Sequence, residues 1–372
     1  MNVLIINCIL YTAEYRRIAP RASVADCMIC HVARGFQELG HQVTVLAAAD
    51  FRPTRDEDLG FPIVYLRSSL RKLFPPAVLP WLPGLRRWLK RNASRFDLVV
   101  SSEMLSLATF TACRVCPDRL LVWHELDVKP QALFRIPAHL WYGVVVPLFM
   151  RRCFVAPRSL AARRFLLAQG VRKVAVNLVD HGVDQHLFAP SDELGNAFVV
   201  VSQLVPRKRV DRIIAAFADF LRQHTSACRL TVIGDGSERE NLERLVQELG
   251  LEEAVTFTGR LDHKCLASHL RQAIALLVYT IQDLNMVSIA EALACGTPVL
   301  TNTMPTSVET IQQLKLGIVK DDWGAAELEQ MIAQRQQFRQ SCIAHREMFT
   351  STGCAAALIR TFNQLNGQEP EE

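Results

Sequence analysis

The sequence predicts an α/β fold built from two doubly wound, Rossmann-like domains, and three observations support this prediction. Short apolar segments that are typical of buried parallel strands alternate with helical segments along the chain. Glycines such as Gly40 and Gly296 follow several of these helices, and glycine is a common residue at a helix end. The length of 372 residues exceeds one typical hydrophobic core, so two domains of about 180 residues are expected.

Composition indicates a globular protein whose two halves carry different charges. Hydrophobic residues make up 50% of the chain, which excludes a disordered polypeptide. Residues 1–180 contain 25 Lys and Arg against 13 Asp and Glu, whereas residues 181–372 contain 17 against 24. The basic half is therefore expected to meet an anionic partner.

The beginning of the chain and its cysteines favour a cytoplasmic location. Residues 2–11 are expected to form a first strand rather than a signal peptide, because no basic leader precedes them. No apolar segment reaches membrane-spanning length without interruption. The 11 cysteines, an odd number, favour reduced thiols, and the two Cys-x-x-Cys pairs fall in helical segments that do not suggest a metal site.

The first half is predicted to contain repeated strand–loop–helix units. In order, these are a strand at 2–11, a helix at 23–39, a strand at 41–47, a strand at 96–102, a helix up to 116 and a strand at 119–127. The last strand places His124 near its carboxyl end, where doubly wound sheets bind their ligands. A histidine there can orient a hydroxyl or transfer a proton, and the alternative is a structural histidine with satisfied hydrogen bonds.

A basic segment interrupts this pattern, since residues 67–96 contain eight basic residues and no acidic one. It is expected to form an amphipathic helix that lies in the headgroup layer of an anionic membrane. The alternative is a core helix with a basic outer face. The residues predicted to contact a membrane or an acceptor are Trp81, Arg86, Arg87, Trp88, Lys90 and Arg91. Trp141, Tyr142, Phe149, Arg151 and Arg152 strengthen the membrane interpretation, whereas no nucleic-acid recognition motif is present.

The second half repeats the strand–helix pattern after a crossing marked by Gly and Pro, His181-Gly-Val-Asp184-x3-Phe188-x-Pro190. A strand begins at Phe198, and the loop 203–209 leads into a helix at 210–223. The most informative segment is Asp283-Leu-Asn-Met-Val-Ser-Ile-Ala-Glu291, which follows a buried strand and opens a helix. The first amides and the positive dipole end of that helix can hold an anion such as a diphosphate.

This segment resembles the Glu-x7-Glu segment of retaining glycosyltransferases of the GT-B fold, especially family 4. Glu291 matches the second Glu and is followed by a similar Ala-Cys-Gly-Thr-Pro-Val sequence, while Asp283 stands for the first. The Gly-Val-Asp-x3-Phe-x-Pro crossing of these enzymes is also present. The resemblance implies two facing domains: an acceptor-side domain at 1–183, a nucleotide-sugar domain at 184–352, and a helix and tail at 353–372 that return toward the first domain.

The resemblance further implies metal-independent, retaining transfer of a hexose from a UDP- or GDP-linked sugar, with no cofactor. It implies the catalytic residues His124, Lys208 and Asp283. The donor-binding residues implied are Gln203, Arg207, Lys208, Gly259, Arg260, Leu261, Met286, Val287 and Glu291. Gln203 stands where the family has Arg, and Arg207 or Arg209 is expected to compensate.

The implied partners are a nucleotide sugar, a lipid-linked or glycan acceptor and an anionic membrane surface, but no nucleic acid. This corresponds to a cytoplasmic enzyme at the inner face of the membrane, in cell-envelope polysaccharide or lipopolysaccharide biosynthesis. The main alternative is a catalytically degenerate GT-B relative that binds a nucleotide or a glycan. A sugar-nucleotide epimerase or phosphorylase of the same architecture, and a membrane or nucleic-acid interaction protein driven by charge, are two further alternatives.

Overall fold

The computed structural model describes residues 1–11, 18–126, 135–224, 227–282 and 286–367. The chain divides into two compact units. Unit 1 comprises Met1–Gly182 together with Ser351–Glu372, and unit 2 comprises Val183–Thr350. Each unit contains a six-stranded sheet of parallel strands flanked by helices. The predicted α/β class with two doubly wound sheets is therefore confirmed.

The sheet of unit 1 is formed by the strands β1 (Asn2–Ile6), β2 (Gln42–Ala48), β3 (Ile63–Leu66), β4 (Leu98–Ser102), β5 (Leu120–His124) and β6 (Phe154–Pro157). Their spatial order is β3-β2-β1-β4-β5-β6. Val, Ile and Leu dominate β1, β4 and β5, which are almost wholly buried, as expected for parallel strands covered on both faces. The strand order reverses between β1 and β4, so the sheet has a topological switch point there.

The helices of unit 1 before the crossing are α1 (Met28–Glu38), α2 (Leu85–Asn92), α3 (Leu107–Val115), α4 (Arg135–Leu140) and α5 (Leu160–Ala168). α4 continues directly into a π-helix, Trp141–Met150, which contains Pro147. Proline removes an intrahelical hydrogen bond, so a regular α-helix is disfavoured through this segment. Ser159 caps α5, because its hydroxyl accepts a hydrogen bond from the Ala162 amide at 3.1 Å.

The sheet of unit 2 is formed by the strands β7 (Ala197–Val201), β8 (Arg229–Ile233), β9 (Val255–Gly259), β10 (Leu276–Val278), β11 (Val299–Thr301) and β12 (Gly317–Val319). Their spatial order, β9-β8-β7-β10-β11-β12, repeats the order found in unit 1. The helices are α6 (Val210–Gln223), α7 (Arg239–Glu248), α8 (His263–Gln272), α9 (Val287–Ala294), α10 (Val308–Gln313), α11 (Ala325–Ala333) and α12 (Arg335–Ala344). The predicted helix at 210–223 is confirmed as α6.

The last helix, α13 (Ser351–Leu365), belongs to unit 1, where it packs against α1. A side chain at Gly35 of α1 would overlap the carbonyl of Ser351, so the two helices approach more closely there than any other residue allows. Leu358 and Phe362 of α13 are buried in the core of unit 1. No helix in the described part of the chain is both long enough and apolar enough to span a bilayer.

α2 directs its apolar face into the core rather than toward a membrane. Leu85 and Leu89 are fully buried, and the half-buried Trp88 stacks on Phe96 with ring centroids 6.2 Å apart. Trp81 is also half-buried. The cations on the outer face of the helix are exposed: Arg86, Arg87, Lys90 and Arg91. The contacts of α2 are those of a core helix with a basic outer face, because its Trp and Leu side chains fill space beside the sheet.

One cysteine pair departs from the expected reduced thiols. Cys113 of α3 and Cys153, just before β6, are joined in a disulfide, while the other nine cysteines are free. The pairing follows from packing, since α3 contacts the π-helix that ends three residues before Cys153. Cys113 is therefore not paired with Cys116, its neighbour in the Cys-x-x-Cys sequence.

Candidate functional site

The candidate site of unit 2 lies at the carboxyl ends of β7 and β10. These two strands are neighbours at the point where the strand order reverses, which is where doubly wound sheets leave a crevice for a ligand. The loop after β7 contains Gln203, Arg207 and Lys208, and the chain after β10 leads to α9. Most of the predicted donor-binding residues therefore follow these two strands. Asp283 lies outside the described residues.

Hydrogen bonds join the loop after β7 to the chain after β10. The Arg207 carbonyl accepts from the Ile281 amide at 2.9 Å and from the Thr280 hydroxyl at 3.2 Å. The Arg207 guanidinium donates back to the Gln282 carbonyl at 2.9 Å. Asn302 fixes the second segment, because its side chain accepts from the Thr280 amide and donates to the Thr280 carbonyl. The two segments thus form one connected wall of the site.

Lys208 is the buried cation of this wall. It ends a 3₁₀ turn, Pro206–Lys208, and only 8% of it is exposed. Arg209 follows in the left-handed backbone conformation, with φ at 42°, and α6 begins at the next residue. This places the positive charge of Lys208 at the carboxyl end of β7, just before α6 begins.

The arginines expected to compensate for Gln203 are already engaged. Arg209 forms a two-point ion pair with Asp211, with nitrogen–oxygen distances of 3.0 and 2.9 Å, and this pairing raises the pKa of Arg209. The guanidinium of Arg207 bonds to the Gln282 carbonyl, as described above. Gln203 itself is exposed. The family has an arginine at the position of Gln203. Arg209 does not supply this missing charge with a free guanidinium, because it is paired with Asp211.

The loop after β8 packs directly against the loop after β7, and two glycines make this possible. The amide of Leu204 donates to the Asp235 carbonyl at 3.0 Å. A side chain at Gly234, whose φ is 132°, would overlap the Ser202 carbonyl, and one at Gly236 would overlap the Leu204 carbonyl. Glycine is therefore required at both positions, for close backbone approach rather than for contact with a phosphate.

The predicted base-binding residues follow β9. Gly259 has a φ of 73°, and its carbonyl accepts from the Gly234 amide at 2.9 Å, which aligns this loop with the one after β8. Arg260 is exposed and Leu261 is half-buried. Because β9 lies two strands from β7, these residues are displaced about 10 Å along the sheet from the Lys208 loop.

Glu291 is a buried carboxylate on α9. Met286 occupies the N-cap position of this helix, Val287 begins it with 40% of its surface exposed, and Glu291 lies one turn further on the same face. Only 6% of Glu291 is exposed, and burial raises its pKa from 4.5 to about 7. Within the described ranges no group donates a hydrogen bond to this carboxylate. Buried carboxylates usually have donors, so a ligand hydroxyl is the expected partner.

Unit 1 contains a second polar cluster, at the carboxyl ends of β4 and β5. His124 ends β5 as predicted, but its side chain is wholly buried, with the ring stacked on Phe165 at 6.1 Å. Its Nδ1 lies 2.8 Å from the Glu103 carboxylate and 3.2 Å from the Met104 amide. Its Nε2 is buried and has no hydrogen-bond partner among the described residues. The contacts of Nδ1 with Glu103 and Met104 therefore fix the orientation of the imidazole ring.

Glu103 is the residue of this cluster that the sequence analysis missed. It has a left-handed backbone conformation with φ at 65°, which is strained for a non-glycine residue. Its carboxylate accepts from the Glu125 amide at 3.0 Å. Burial alone would raise the pKa of Glu103, but the charges of His124 and Arg158 and these hydrogen bonds lower it overall. Glu103 directly follows the predicted strand at 96–102, and this position is the feature of the sequence that could have indicated a site residue.

Three further polar residues surround the end of β5. Arg158 forms an ion pair with Glu125 at 2.7 Å and stacks over the Trp123 ring at 3.7 Å. His181 is buried nearby, and burial together with the charge of Arg158 lowers its pKa well below the usual value. This network fixes the residues that flank His124, so the carboxyl edge of the unit 1 sheet is rigid and polar.

Two doubly wound units in one chain, each with polar residues at the carboxyl edge of its sheet, are typical of GT-B proteins. A family model described as Glycosyl transferases group 1 matches residues 186–340, and one described as Glycosyltransferase Family 4 matches residues 28–187. The two matches together cover most of both units. The chain therefore belongs to the group 1 glycosyltransferases, in the family 4 lineage of the GT-B fold.

Two curated relatives illustrate the similarity. The chain is 33% identical over 178 residues to a GDP-mannose-dependent alpha-(1-6)-phosphatidylinositol monomannoside mannosyltransferase of Mycolicibacterium smegmatis, covering 42% of this chain and 46% of the relative. It is 27% identical over 136 residues to an alpha-monoglucosyldiacylglycerol synthase of Streptococcus pneumoniae, covering 36% of this chain and 30% of the relative. Each match spans less than half the length of the relative.

Solved structures resemble the chain over its whole length. A sucrose-phosphate synthase from Thermosynechococcus elongatus has a TM-score of 0.66 at 17% identity, with 99% of this chain and 100% of that chain covered. The HepE protein of Anabaena in complex with UDP has a TM-score of 0.59 at 16% identity, with 99% and 98% covered. At these identities the similarity confirms the GT-B fold alone.

Proposed function

We propose that the protein transfers a hexose from a nucleotide diphosphate sugar to a hydroxyl of a lipid-linked or glycan acceptor, with retention of the anomeric configuration. The main support is Glu291, a buried carboxylate without a described donor, one turn into the helix that follows the switch point of unit 2. Such a group suits the paired hydroxyls of a ribose, which can donate two hydrogen bonds to one carboxylate. Family membership supports the same reaction class.

In this proposal the diphosphate lies between Lys208 and the first turn of α9. Lys208 supplies positive charge, and the backbone amides at Met286 and Val287 supply donors at the positive end of the helix dipole. Fixed charges aimed at a developing phosphate anion are usually the largest catalytic contribution, so no metal ion is needed. The donor base is assigned to Gly259, Arg260 and Leu261, after β9.

In the same proposal Asp283 positions the sugar of the donor, Gln203 lies beside the diphosphate, and His124 of unit 1 is a catalytic residue of the transfer step. Acceptor chemistry is inferred from the relatives, whose names specify a phosphatidylinositol mannoside and a diacylglycerol. The basic composition of unit 1 suits the anionic one of these two lipids, the phosphatidylinositol mannoside, and the exposed cations Arg86, Arg87, Lys90 and Arg91 of α2 are available to it. We therefore propose a cytoplasmic enzyme that works at the inner face of the membrane in cell-envelope glycan synthesis.

A specific observation favours a second candidate, a GT-B relative that binds a nucleotide or a glycan without catalysis. Gln203 is uncharged and exposed, and Arg209 is paired with Asp211. The leaving diphosphate would then be neutralised less than in the family pattern. Binding of a sugar nucleotide without product would identify this second function.

The test is transfer of a labelled sugar from GDP-mannose or UDP-glucose to a bacterial lipid extract, in the presence and absence of EDTA. Wild-type protein is expected to form a glycolipid under both conditions. Lys208→Met should reduce turnover by about 100-fold, because it removes the buried charge beside the diphosphate. Lys264→Met, which removes an exposed cation on α8, is the matched control and should keep full turnover. Binding without product, with either donor, would contradict the enzymatic proposal.

A further inference from the structure

A cavity in unit 1 is lined by four cations and no acid. It has a volume of about 410 Å³ and lies between the end of the π-helix and the turn after α5. The basic side chains that line it are Arg151, Arg152, Arg172 and Lys173. None of the four forms an ion pair with any residue that the structure describes, although Lys173 lies over the Phe154 ring at 4.3 Å. All four side chains are exposed, and their positive charges together favour an anionic ligand in this cavity.

The backbone around this cavity is well fixed. Gly170, with φ at 77°, ends the turn after α5, and the Lys173 carbonyl accepts from the Val155 amide of β6 at 2.9 Å. Met150 and Val146 of the π-helix are buried beneath the cavity. The cations are therefore held on a rigid floor rather than on a loose loop.

The helix beside the cavity exposes an apolar face. Buried residues recur every fourth position along it, and the opposite side presents large apolar side chains to solvent. These are Leu140, Val144, Leu148 and Phe149, with 60%, 45%, 64% and 44% of their surfaces exposed. The face ends at Arg151 and Arg152, both exposed. Apolar side chains that end in a pair of arginines match the boundary between the acyl chains and the headgroups of a bilayer.

We propose that this cavity binds the phosphate of an anionic phospholipid headgroup, while the apolar face of the 140–149 helix enters the bilayer surface. This proposal rests on the function proposed above, in which unit 1 meets a lipid acceptor. It assigns the apolar membrane contact to the 140–149 helix instead of α2, because Leu85 and Leu89 of α2 are buried in the core. We propose a bilayer rather than a soluble phosphate compound as the ligand, because a soluble compound in the cavity would not cover the exposed apolar side chains of the neighbouring helix.

The experiment is co-sedimentation of the full chain with vesicles, without any sugar donor. Wild-type protein should bind vesicles of phosphatidylcholine containing phosphatidylglycerol and should not bind phosphatidylcholine alone. Arg152→Glu/Arg172→Glu should lower the partition coefficient by more than about tenfold. Each cation at the level of the headgroups raises that coefficient several-fold, so the loss of two should have a large effect. The control Arg229→Glu/Arg244→Glu makes the same charge change at exposed positions of unit 2 and should bind as wild type does.

A second pair of variants tests the apolar face. Leu148→Ser should weaken vesicle binding severalfold, whereas Leu194→Ser, with 45% of that leucine exposed in unit 2, should not. The proposal is wrong if the cavity variant keeps wild-type binding, if Leu148→Ser binds as wild type does, or if Arg86→Glu/Arg87→Glu on α2 alone abolishes binding. Because no donor is present, failure here leaves the transfer reaction untouched.

Discussion

Two carboxylates, the buried Glu291 in unit 2 and the partly buried Glu103 in unit 1, have pKa values that move in opposite directions. Glu291 has no described donor, so burial dominates and its pKa rises to about 7. Glu103 is partly removed from water as well, but His124, Arg158 and the Glu125 amide stabilise its ionised form, and its pKa falls. The direction of the pKa shift therefore depends on the surroundings of each carboxylate, because both residues are glutamates and only Glu103 has hydrogen-bond and charge partners.

Glu291 should make the unliganded protein less stable as the pH rises. Between pH 4.5 and 7 the folded state holds a proton that the unfolded state has lost, so the free energy of unfolding falls with pH, by about 3 kcal/mol in total. Glu291→Gln should abolish this fall, which urea unfolding across that pH range would measure. Equal pH profiles for the two proteins would contradict the assignment of the raised pKa to Glu291.

The same group predicts how donor binding depends on pH. Ribose hydroxyls donate to the ionised carboxylate, so binding should lower the pKa of Glu291 and release a proton near pH 6. The affinity for GDP-mannose should therefore increase as the pH rises toward 8 in the wild type and stay flat in Glu291→Gln. Isothermal titration calorimetry in buffers of different ionisation enthalpy measures both the affinity and the released proton. An affinity that is independent of pH in both proteins would argue against this contact.

Glu103 should contribute stability that is lost in acid. Its folded pKa is below the ordinary value of 4.5, so the contribution is present above pH 4.5 and disappears as the pH falls below it. Glu103→Gln should cost about 2 kcal/mol at pH 7, since a buried charge-assisted hydrogen bond is weakened, and less near pH 4. Urea unfolding at both pH values tests this, and a constant difference would show that the cost is steric rather than electrostatic.

Among the elements, the sequence predicts α6, β5 and α9. It does not predict the π-helix, and it does not show that the apolar face of α2 packs in the core. The α6 pattern is a simple amphipathic period, which fixes one buried face. α2 has the same kind of pattern, yet periodicity does not distinguish an apolar face that packs on a sheet from one that packs on lipid. Glu103 was missed because its position after a predicted strand is shared by many residues, whereas its backbone conformation and its contact with His124 exist only in the folded chain.

The loop elements of unit 2 give a prediction about Gly234. Gly234→Ala should destabilise the protein by about 3 kcal/mol, because the new methyl group overlaps the Ser202 carbonyl and the backbone must shift. Donor affinity should fall as well, since the loop after β7 carries Lys208. Gly84→Ala is the control, because that residue has helical dihedral angles and open space around it, and its effect should stay within about 0.5 kcal/mol.

At the scale of the whole molecule, the chain builds the same strand order twice and then returns to the first unit with α13. The double repeat follows from the alternation of apolar strands and helices, which is why sequence alone predicted the fold class. The Cys113–Cys153 pair was not predicted, since it joins residues that only the folded chain brings together. We propose that unit 2 binds the sugar donor and that unit 1 binds lipid, and a separate experiment tests each of these two proposals.

The return of α13 predicts that the two units can be perturbed separately. Leu358→Ala removes a fully buried side chain of α13 from the core of unit 1 and should destabilise that unit by about 3 kcal/mol. The nucleotide affinity of unit 2 should change little at temperatures where the protein stays folded. Arg360→Ala, an exposed position on the same helix, is the control. A large loss of nucleotide affinity in folded Leu358→Ala would show that the units are not independent.

The most direct test of the account is hydrogen–deuterium exchange of the full chain with and without saturating GDP-mannose or UDP-glucose. A donor bound at the switch point of unit 2 should slow amide exchange at residues 202–209 and 286–294, because ligand contacts suppress local opening there. Exchange in α11 and α12 should be unchanged. Protection confined to unit 1, or no protection by either donor at saturation, would contradict the proposed site.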